Sequence, residues 1–327
     1  MESAEAAPSE TPRSNAARVA GFVIGLALLV AAVLAVSTRT DALGQAVESA
    51  RNASPWLVLA VVGLPLLNIA VISCSFWVLT SRFGRVTMRE MVALILSSWL
   101  LNHLPMRPGL VGRVGYHRVV NRIPIRASLR VIVEQLLCGV LALGLMVLFV
   151  FVAAPLGRAA VIGTLLAAGL LTTATGFAMR SREAGGGHAA AVPCLVAAVG
   201  LRLLDMTIWI LRYTCLFALV GFDLDLQNAA AVTAASQAAM LSPIPLGLRE
   251  WVVGLMHGMM GGEWMTDGGF ALASVAPGVA ADLANRAAEL LVAVPLGVAA
   301  TIWLMRRYRD QRSGGEGQPH PAPTSSV

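Results

Sequence analysis

Six stretches of this chain are apolar for long enough to cross a lipid bilayer, and this pattern limits the fold more than any other feature. A helical crossing needs roughly 20 residues. Hydrophobic residues make up 57% of the chain and charged residues only 13%, well below the share of charge in soluble domains. We therefore expect an all-α polytopic membrane protein. The predicted crossings lie at about 19–36, 55–79, 128–153, 159–179, 191–221 and 270–305.

Two further apolar stretches, 91–104 and 228–241, are too short to span a bilayer, and each runs into a cluster of prolines and glycines. The clusters read NHLPMRPGLVGR from residue 102 and SPIPLGLRE from residue 242. Segments of this length suit re-entrant hairpins, because a turn at membrane depth is tolerated where protein or a water-filled cavity satisfies its backbone. The sequence therefore predicts two re-entrant helical hairpins in addition to the six crossings.

The arginines predict an orientation. The chain has 24 arginines and no lysine, so lysine-based chemistry is excluded. If the N-terminus is cytoplasmic, only Arg39, Arg51 and Arg158 fall on the outside, as the positive-inside rule requires. We expect a multi-pass protein of the cell membrane with both termini in the cytoplasm.

This topology divides the chain into a transmembrane domain, 18–305, between two polar tails, 1–17 and 306–327. The tails are too poor in apolar residues to bury a core. The segments 18–154 and 155–305 each hold three crossings and one hairpin, and an odd number of crossings would make two such halves inverted repeats. The alternative is that any chain with eight apolar segments can be divided in this way.

Ionisable residues inside the predicted spans are the strongest functional signal. Each one at the centre of a membrane helix costs on the order of 2.5–3.5 kcal/mol on insertion scales, so several in one protein need partners or a cavity. Most are three or four residues apart and so share a helix face. They are Arg130, Glu134, Arg202, Asp205, Asp282, Arg286 and Glu289.

Two interpretations of these charges compete. They could be internal ion pairs that hold helices together. Alternatively, they could line a polar cavity, because the interior charges, counted with Arg212 and the turn residues, include two more arginines than acids. A guanidinium group matches the oxygens of a phosphate with two parallel hydrogen bonds. Arg107, Arg113 and Arg249 best fit this second interpretation, since Glu250 is the only acid near them in sequence.

Short motifs recur in a definite order along the chain. They comprise Asn102, Pro105, Arg107, Gly109 and Arg113, then Pro245, Gly247, Arg249 and Glu250, then Arg286, Pro295 and Gly297. This order resembles the transmembrane region of lysylphosphatidylglycerol synthases and their stand-alone flippase-like relatives. The resemblance covers nearly all of 19–305, and the chain departs from it at Leu110, where an acidic residue is expected.

The resemblance implies a protein that handles membrane lipids. It would bind, and translocate between leaflets, an anionic or aminoacylated phospholipid or a lipid-linked intermediate. The substrate-binding residues it implies are Asn102, Arg107, Arg113, Arg249, Glu250 and Arg286. Because only a basic cluster and a Gly/Pro/Ser-rich tail follow Met305, we expect no lipid-synthase domain and no lipid synthesis.

The alternative from another class is a non-transporting accessory subunit that scaffolds a membrane lipid or glycan enzyme. A lipid-modifying enzyme with Glu250 or Asp282 as its base ranks last, because the sequence contains no catalytic motif. The four cysteines are too dispersed to predict a metal site, and we expect no cofactor and no nucleic-acid partner. Gly254, Gly258 and Gly262 form a GxxxG face, which predicts close packing of this segment on a neighbouring helix. Such a face is a dimer contact in some proteins, so a homo-oligomer stays open.

Overall fold

The described part of the chain is almost entirely helical, which confirms the predicted fold class. The only strands in this part are β1 (Met265–Thr266) and β2 (Gly269–Phe270), which pair antiparallel over two residues each. The computed structural model describes residues 23–24, 26–34, 48–103, 108–182, 191–242, 247–261, 265–266, 269–270 and 272–315.

The helices follow the hydropathy pattern, and helical residues at 26–34 and 48–51 precede the first long one. In chain order the longer helices are α1 (Pro55–Thr80), α2 (Met88–Asn102), α3 (Pro108–Val119), α4 (Ile125–Ala153), α5 (Arg158–Arg182), α6 (Ala191–Leu219), α7 (Leu226–Leu241), α8 (Leu248–Met260) and α9 (Leu272–Gly315). A single 3-10 turn, Ala154–Leu156, joins α4 to α5.

Among the described residues, five helices are long and apolar enough to cross a membrane: α1, α4, α5, α6 and the part of α9 from Ser274 to Asp310. They correspond to five of the six predicted crossings, and the sixth, 19–36, is described only in part. Leucines on these helices point outward, and Leu137, Leu148 and Leu171 are more than 60% exposed. In water such exposure would be costly, whereas a lipid environment accepts it. The chain is therefore a multi-pass membrane protein.

Two of the helices are too short to span. α2 has 15 residues and α7 has 16, and each is followed by another short helix, α3 or α8. α7 begins at a cap in which the Asp225 carboxylate accepts a hydrogen bond from the backbone N–H of Asn228 at 2.7 Å. The turns at 104–107 and 243–246 lie outside the described residues. The short helix pairs are confirmed, and their re-entrant course stays a prediction.

The chain packs as two compact units. The first unit consists of Met1–Leu59, Asn102–Pro108 and Tyr213–Arg286, and the second of Ala60–Leu101, Gly109–Arg212 and Ala287–Val327. Each unit draws residues from both predicted halves, 18–154 and 155–305, so the inverted repeat remains a prediction.

The core of the second unit is built where α1, α4 and α6 meet. Val78 and Leu79 of α1 pack with Cys138 of α4 and Ala198 of α6, all of them buried. Small residues bring neighbouring helices close together. A Cβ atom on Gly297 of α9 would lie 2.6 Å from the Cβ of Leu100, so only glycine lets α2 pack there.

Glycines also set the packing of the first unit. Gly247 caps α8 at φ 77°, a backbone conformation that glycine adopts freely, and a Cβ atom there would overlap Leu28. Further along, α8 packs against α9. A Cβ atom on Gly278 of α9 would lie 2.8 Å from the Cα of Gly254 of α8. The predicted GxxxG face of α8 therefore packs, at Gly254, against α9 of the same chain.

Candidate functional site

A balanced charge cluster lies inside the second unit. The Asp205 carboxylate accepts hydrogen bonds from Asn68 Nδ2 at 2.7 Å and from Arg202. Arg212 donates to Asn68 Oδ1 at 2.9 Å and to Glu289 Oε1 at 2.7 Å. Two arginines face two carboxylates, and Asn68 bridges them. The cluster joins α1, α6 and α9, as the ion-pair interpretation expects.

A second ionic contact of this unit centres on Glu134 of α4. Its carboxylate pairs with Arg82 and with Arg130, the latter through Nε–Oε1 at 2.9 Å. The Arg130 side chain is 62% exposed, whereas that of Arg82 is only 7% exposed. Arg82 is therefore the inner partner, and the predicted i,i+4 pair of Arg130 with Glu134 is the outer one.

Arg249, in the first turn of α8, belongs to a buried charge cluster of the first unit. Arg249 Nε donates to Asp282 Oδ2 at 2.8 Å. Asp282 Oδ1 accepts from the Tyr213 hydroxyl at 2.9 Å, and that hydroxyl lies 2.6 Å from Ser236 Oγ. The carboxylate has donors from three helices, because Asn285 Nδ2 of α9 also donates to Asp282 Oδ1 at 3.3 Å. Its side chain is fully buried.

The next residue, Glu250, is also fully buried. Arg286 Nε lies 2.5 Å from Glu250 Oε1, but neither carboxylate oxygen accepts an aligned hydrogen bond from another residue. Together, Arg249, Glu250, Asp282 and Arg286 carry no net charge. Three of the six predicted substrate-binding residues therefore meet at one cluster, and each has an opposite charge as its neighbour.

An open cavity of about 660 Å³ lies within the second unit, between α2, α3 and the end of α9. Its walls combine leucines with hydroxyl groups and two arginines. The lining residues are Leu94, Ser97, Ser98, Leu101, Gly109, Gly112, Arg113, Tyr116, Thr301, Leu304, Met305, Tyr308 and Arg309.

Arg113 has an unusual setting for a charged residue. Only 7% of the residue is exposed, and its guanidinium carbon lies 3.9 Å from the centre of the Phe76 ring. No carboxylate pairs with it among the residues that the structure describes. Burial lowers the pKa of Arg113 to about 10, so the group stays protonated at neutral pH. The cavity wall therefore carries a cation whose neighbour is an aromatic face.

The hydroxyl groups of the cavity are held by neighbouring helices. Ser97 Oγ lies 2.8 Å from Thr301 Oγ1, which in turn donates to the Gly297 carbonyl at 2.7 Å. Ser98 Oγ donates to the Gly109 carbonyl at 3.0 Å. These contacts fix α2 against α3 and α9 and leave polar atoms beside the leucines. Such a surface suits an amphipathic ligand.

Two other predicted residues lie beside the first turn. Asn102 ends α2, and its buried Oδ1 accepts no aligned hydrogen bond. Arg107 lies outside the described residues, so its predicted role stays a prediction. Asn102 belongs to the first unit and Arg113 to the second.

Several polar residues of these sites were missed by the sequence reasoning. Asn68 and Tyr213 lie within apolar helices and carry no formal charge, so counting ionisable residues overlooked them. Their signal was a lone amide or hydroxyl at bilayer depth, which also needs a partner. Ser97 and Ser98 form an adjacent pair in the second half of α2, and nothing in the sequence indicated that they line a cavity.

The described residues contain no group of three His, Cys, Asp or Glu side chains that could hold a metal ion. No family model matches the chain, and no curated protein or solved structure is significantly similar to it. A function must therefore be argued from the cavity and the charge clusters themselves.

Proposed function

We propose that this protein binds a phospholipid or lipid-linked intermediate through its phosphate group and translocates it between the leaflets of the cell membrane. The observation that carries the proposal is the open cavity with Arg113 in its wall, a buried cation with no carboxylate partner in the described structure. The resemblance of the turn motifs to flippase-like proteins supports the same conclusion.

The chemistry of the cavity fits a lipid better than a wholly polar solute. Leu94, Leu101 and Leu304 offer apolar surface for the start of an acyl chain. The Ser97, Ser98 and Thr301 hydroxyls donate their hydrogens within the protein, so they can accept hydrogen bonds from a headgroup hydroxyl. A volume of about 660 Å³ holds a headgroup and the adjoining part of the chains, and the opening lets the remaining chain extend outward.

A phosphodiester supplies the anionic partner that Arg113 does not have among the described residues. The guanidinium can donate two parallel hydrogen bonds to phosphate oxygens, and hydrogen bonds to charged groups contribute about 1.5–3 kcal/mol each. Both anionic and aminoacylated phospholipids carry this phosphate, so Arg113 accounts for binding of either. In this proposal, the charge cluster around Arg249 supports the helices.

The proposal includes the predicted topology. Both termini would be cytoplasmic, and the two short helix pairs would enter the membrane as re-entrant hairpins. The alternative is an accessory subunit that holds a membrane enzyme. The balanced, buried ion pairs are equally suited to a rigid scaffold, so translocation has to be measured directly.

The test compares two arginines of α3. Arg113 is buried at the cavity, whereas Arg118 is exposed on the same helix and serves as the matched control. Native mass spectrometry after gentle purification should find phosphatidylglycerol bound to the wild type and to Arg118→Gln. We expect Arg113→Gln to lose at least about tenfold in affinity, the equivalent of one charge-assisted hydrogen bond.

The same variants are then reconstituted with fluorescent phosphatidylglycerol in liposomes. We expect the wild type and Arg118→Gln to translocate the lipid and Arg113→Gln to be slow. Lipid binding without translocation in the wild type would favour the scaffold. Unchanged lipid retention by Arg113→Gln would overturn the assignment of the headgroup site.

A second pair of variants tests the cavity without changing a charge. A Cβ atom on either Gly112 or Gly115 of α3 would meet nothing within 4 Å, and only Gly112 lines the cavity. Gly112→Leu should therefore fill the cavity and reduce lipid binding, whereas Gly115→Leu should not. Equal effects of the two leucines would show that the cavity is not the binding site.

A further inference from the structure

Glu250 differs from every other buried carboxylate in the described part of the chain. Glu90, Glu134, Asp205, Asp282 and Glu289 each accept at least one aligned hydrogen bond from a side chain. Glu250 is fully buried, and neither of its oxygens does so. A buried carboxylate without such donors is the one that gains most from becoming neutral.

The charged groups that face Glu250 come from two helices. Arg249 is its neighbour on α8, and Arg286 of α9 makes the 2.5 Å ion pair. Asp282 of α9 adds a negative charge, and Tyr213 of α6 reaches the cluster through its hydrogen bond to Asp282. Burial and the Asp282 charge raise the pKa of Glu250, and the two arginines oppose them. Burial of the site and the negative charge of Asp282 therefore both favour the protonated form of Glu250.

We propose that Glu250 is a proton-binding site, and that protonation releases α8 from α9 at this point during each transport step. A proton from the solvent binds reversibly to the Glu250 carboxylate, and this step needs no other reactant. When Glu250 is ionised, its ion pair with Arg286 joins α8 to α9. When it is protonated, that ion pair is lost and the cluster gains one positive charge.

The proton is the cation that fits this site. Two guanidinium groups within the cluster repel a metal ion, which would also need several oxygen ligands at once. A proton needs one oxygen. The Arg286 side chain, 13% exposed, is the most exposed of the four charged side chains of the cluster.

Proton binding is tested on the purified protein in nanodiscs, independently of any lipid movement. Infrared difference spectra recorded between roughly pH 4 and pH 9 report the C=O stretch of a protonated carboxyl group. Because the pKa is raised, we expect this band to persist at pH values where an exposed glutamate is ionised, and to vanish as the pH rises further. Glu250→Gln should lack the band.

Two variants keep this test decisive. Glu250→Asp retains a carboxyl group, and its band should shift in frequency rather than disappear. Glu289→Gln removes a buried carboxylate that has an aligned arginine donor, so it should retain the Glu250 band. A band that survives in Glu250→Gln, or that is absent from the wild type, would overturn the proton site.

Coupling to transport rests on the proposed lipid translocation and is tested separately. With fluorescent phosphatidylglycerol in liposomes, coupling of one proton to one lipid predicts that a pH difference of one unit shifts the leaflet ratio by up to about tenfold. Glu250→Gln should abolish this shift. A Glu250 band without a pH-driven shift would refute the coupling and leave the proton site standing. An absence of translocation in the wild type at any pH would refute the proposed function instead.

Discussion

The helix pairs α2–α3 and α7–α8 share one sequence plan but place their arginines in opposite environments. Each pair has a short apolar helix, a Pro/Gly turn and an arginine in the helix that follows. Arg113 lies against the Phe76 ring at an open cavity, whereas Arg249 is paired with Asp282 in a closed cluster. An arginine after such a turn therefore does not define a role by itself, and the groups that face it do.

The glycines of the two pairs also differ in how closely they are packed. Gly112 and Gly115 of α3 have open space where a side chain would be, whereas Gly254 of α8 is packed against Val275 and Val279. There is space for a larger side chain at these positions of α3, and there is none at Gly254 of α8. The first pair thus offers a surface to a ligand, and the second is held by its own neighbours.

The largest expected effect comes from breaking the closed cluster. Arg249→Ala leaves Asp282 buried without its cation, and losing one partner of a buried pair typically costs about 3–5 kcal/mol. We expect a loss of this size in unfolding free energy, measured by denaturant titration in mixed micelles. Arg113→Ala should cost much less, because it leaves no carboxylate unpaired.

The double variant Arg249→Ala/Asp282→Ala serves as the control and should recover part of the loss. If Arg249→Ala folds as stably as the wild type and loses lipid binding, Arg249 contacts the substrate, as the sequence alone indicated, and the contrast between the two arginines fails.

A smaller effect is expected from two glycine substitutions, one in α9 where it packs against α8 and one in α3. Gly278→Ala would push a methyl group to 2.8 Å from the Gly254 Cα and the Val253 carbonyl, and overpacking of this kind costs about 1–3 kcal/mol. Gly112→Ala meets nothing and should stabilise α3 by about 0.5–1 kcal/mol through helix propensity. Thermal unfolding followed by tryptophan fluorescence measures both. Equal shifts in the two variants would show that the pairs are packed alike.

The smallest effect is expected at the aromatic neighbour of Arg113. Phe76→Leu keeps an apolar but smaller side chain and removes the ring face, so the cation–π contact of about 0.5–2 kcal/mol is lost. Arg113 should then sit less firmly at the cavity, and phosphatidylglycerol affinity should fall by a few fold in native mass spectrometry. Phe83→Leu, near Arg82 and Arg130, is the control and should leave lipid affinity unchanged.

Hydropathy alone predicted much of the helical fold. The apolar runs gave five of the membrane-length helices, and the shorter runs gave α2 and α7, because helix length follows directly from the length of an apolar segment. The GxxxG face was also predicted to pack closely. Its partner, α9, could not be identified from the spacing of glycines on one helix.

The pairing of charges was predictable only within a helix. Arg130 with Glu134 and Arg202 with Asp205 are separated by one turn, so sequence spacing sufficed. Arg212 with Glu289 and Arg249 with Asp282 are 77 and 33 residues apart, and tertiary packing alone brings them together. The cavity beside Arg113 was beyond sequence reasoning for the same reason, since α2, α3 and α9 each supply part of its wall.

The contact of Gly254 with Gly278 has a consequence for conformational entropy. A leucine or isoleucine loses about 0.5–1 kcal/mol of rotamer freedom when it is buried, whereas a glycine has no rotamers to lose. The two glycines therefore lose no rotamer freedom of their own when α8 packs against α9 at this point. If α8 leaves α9 and returns in each cycle, neither glycine has rotamers to be released and frozen again.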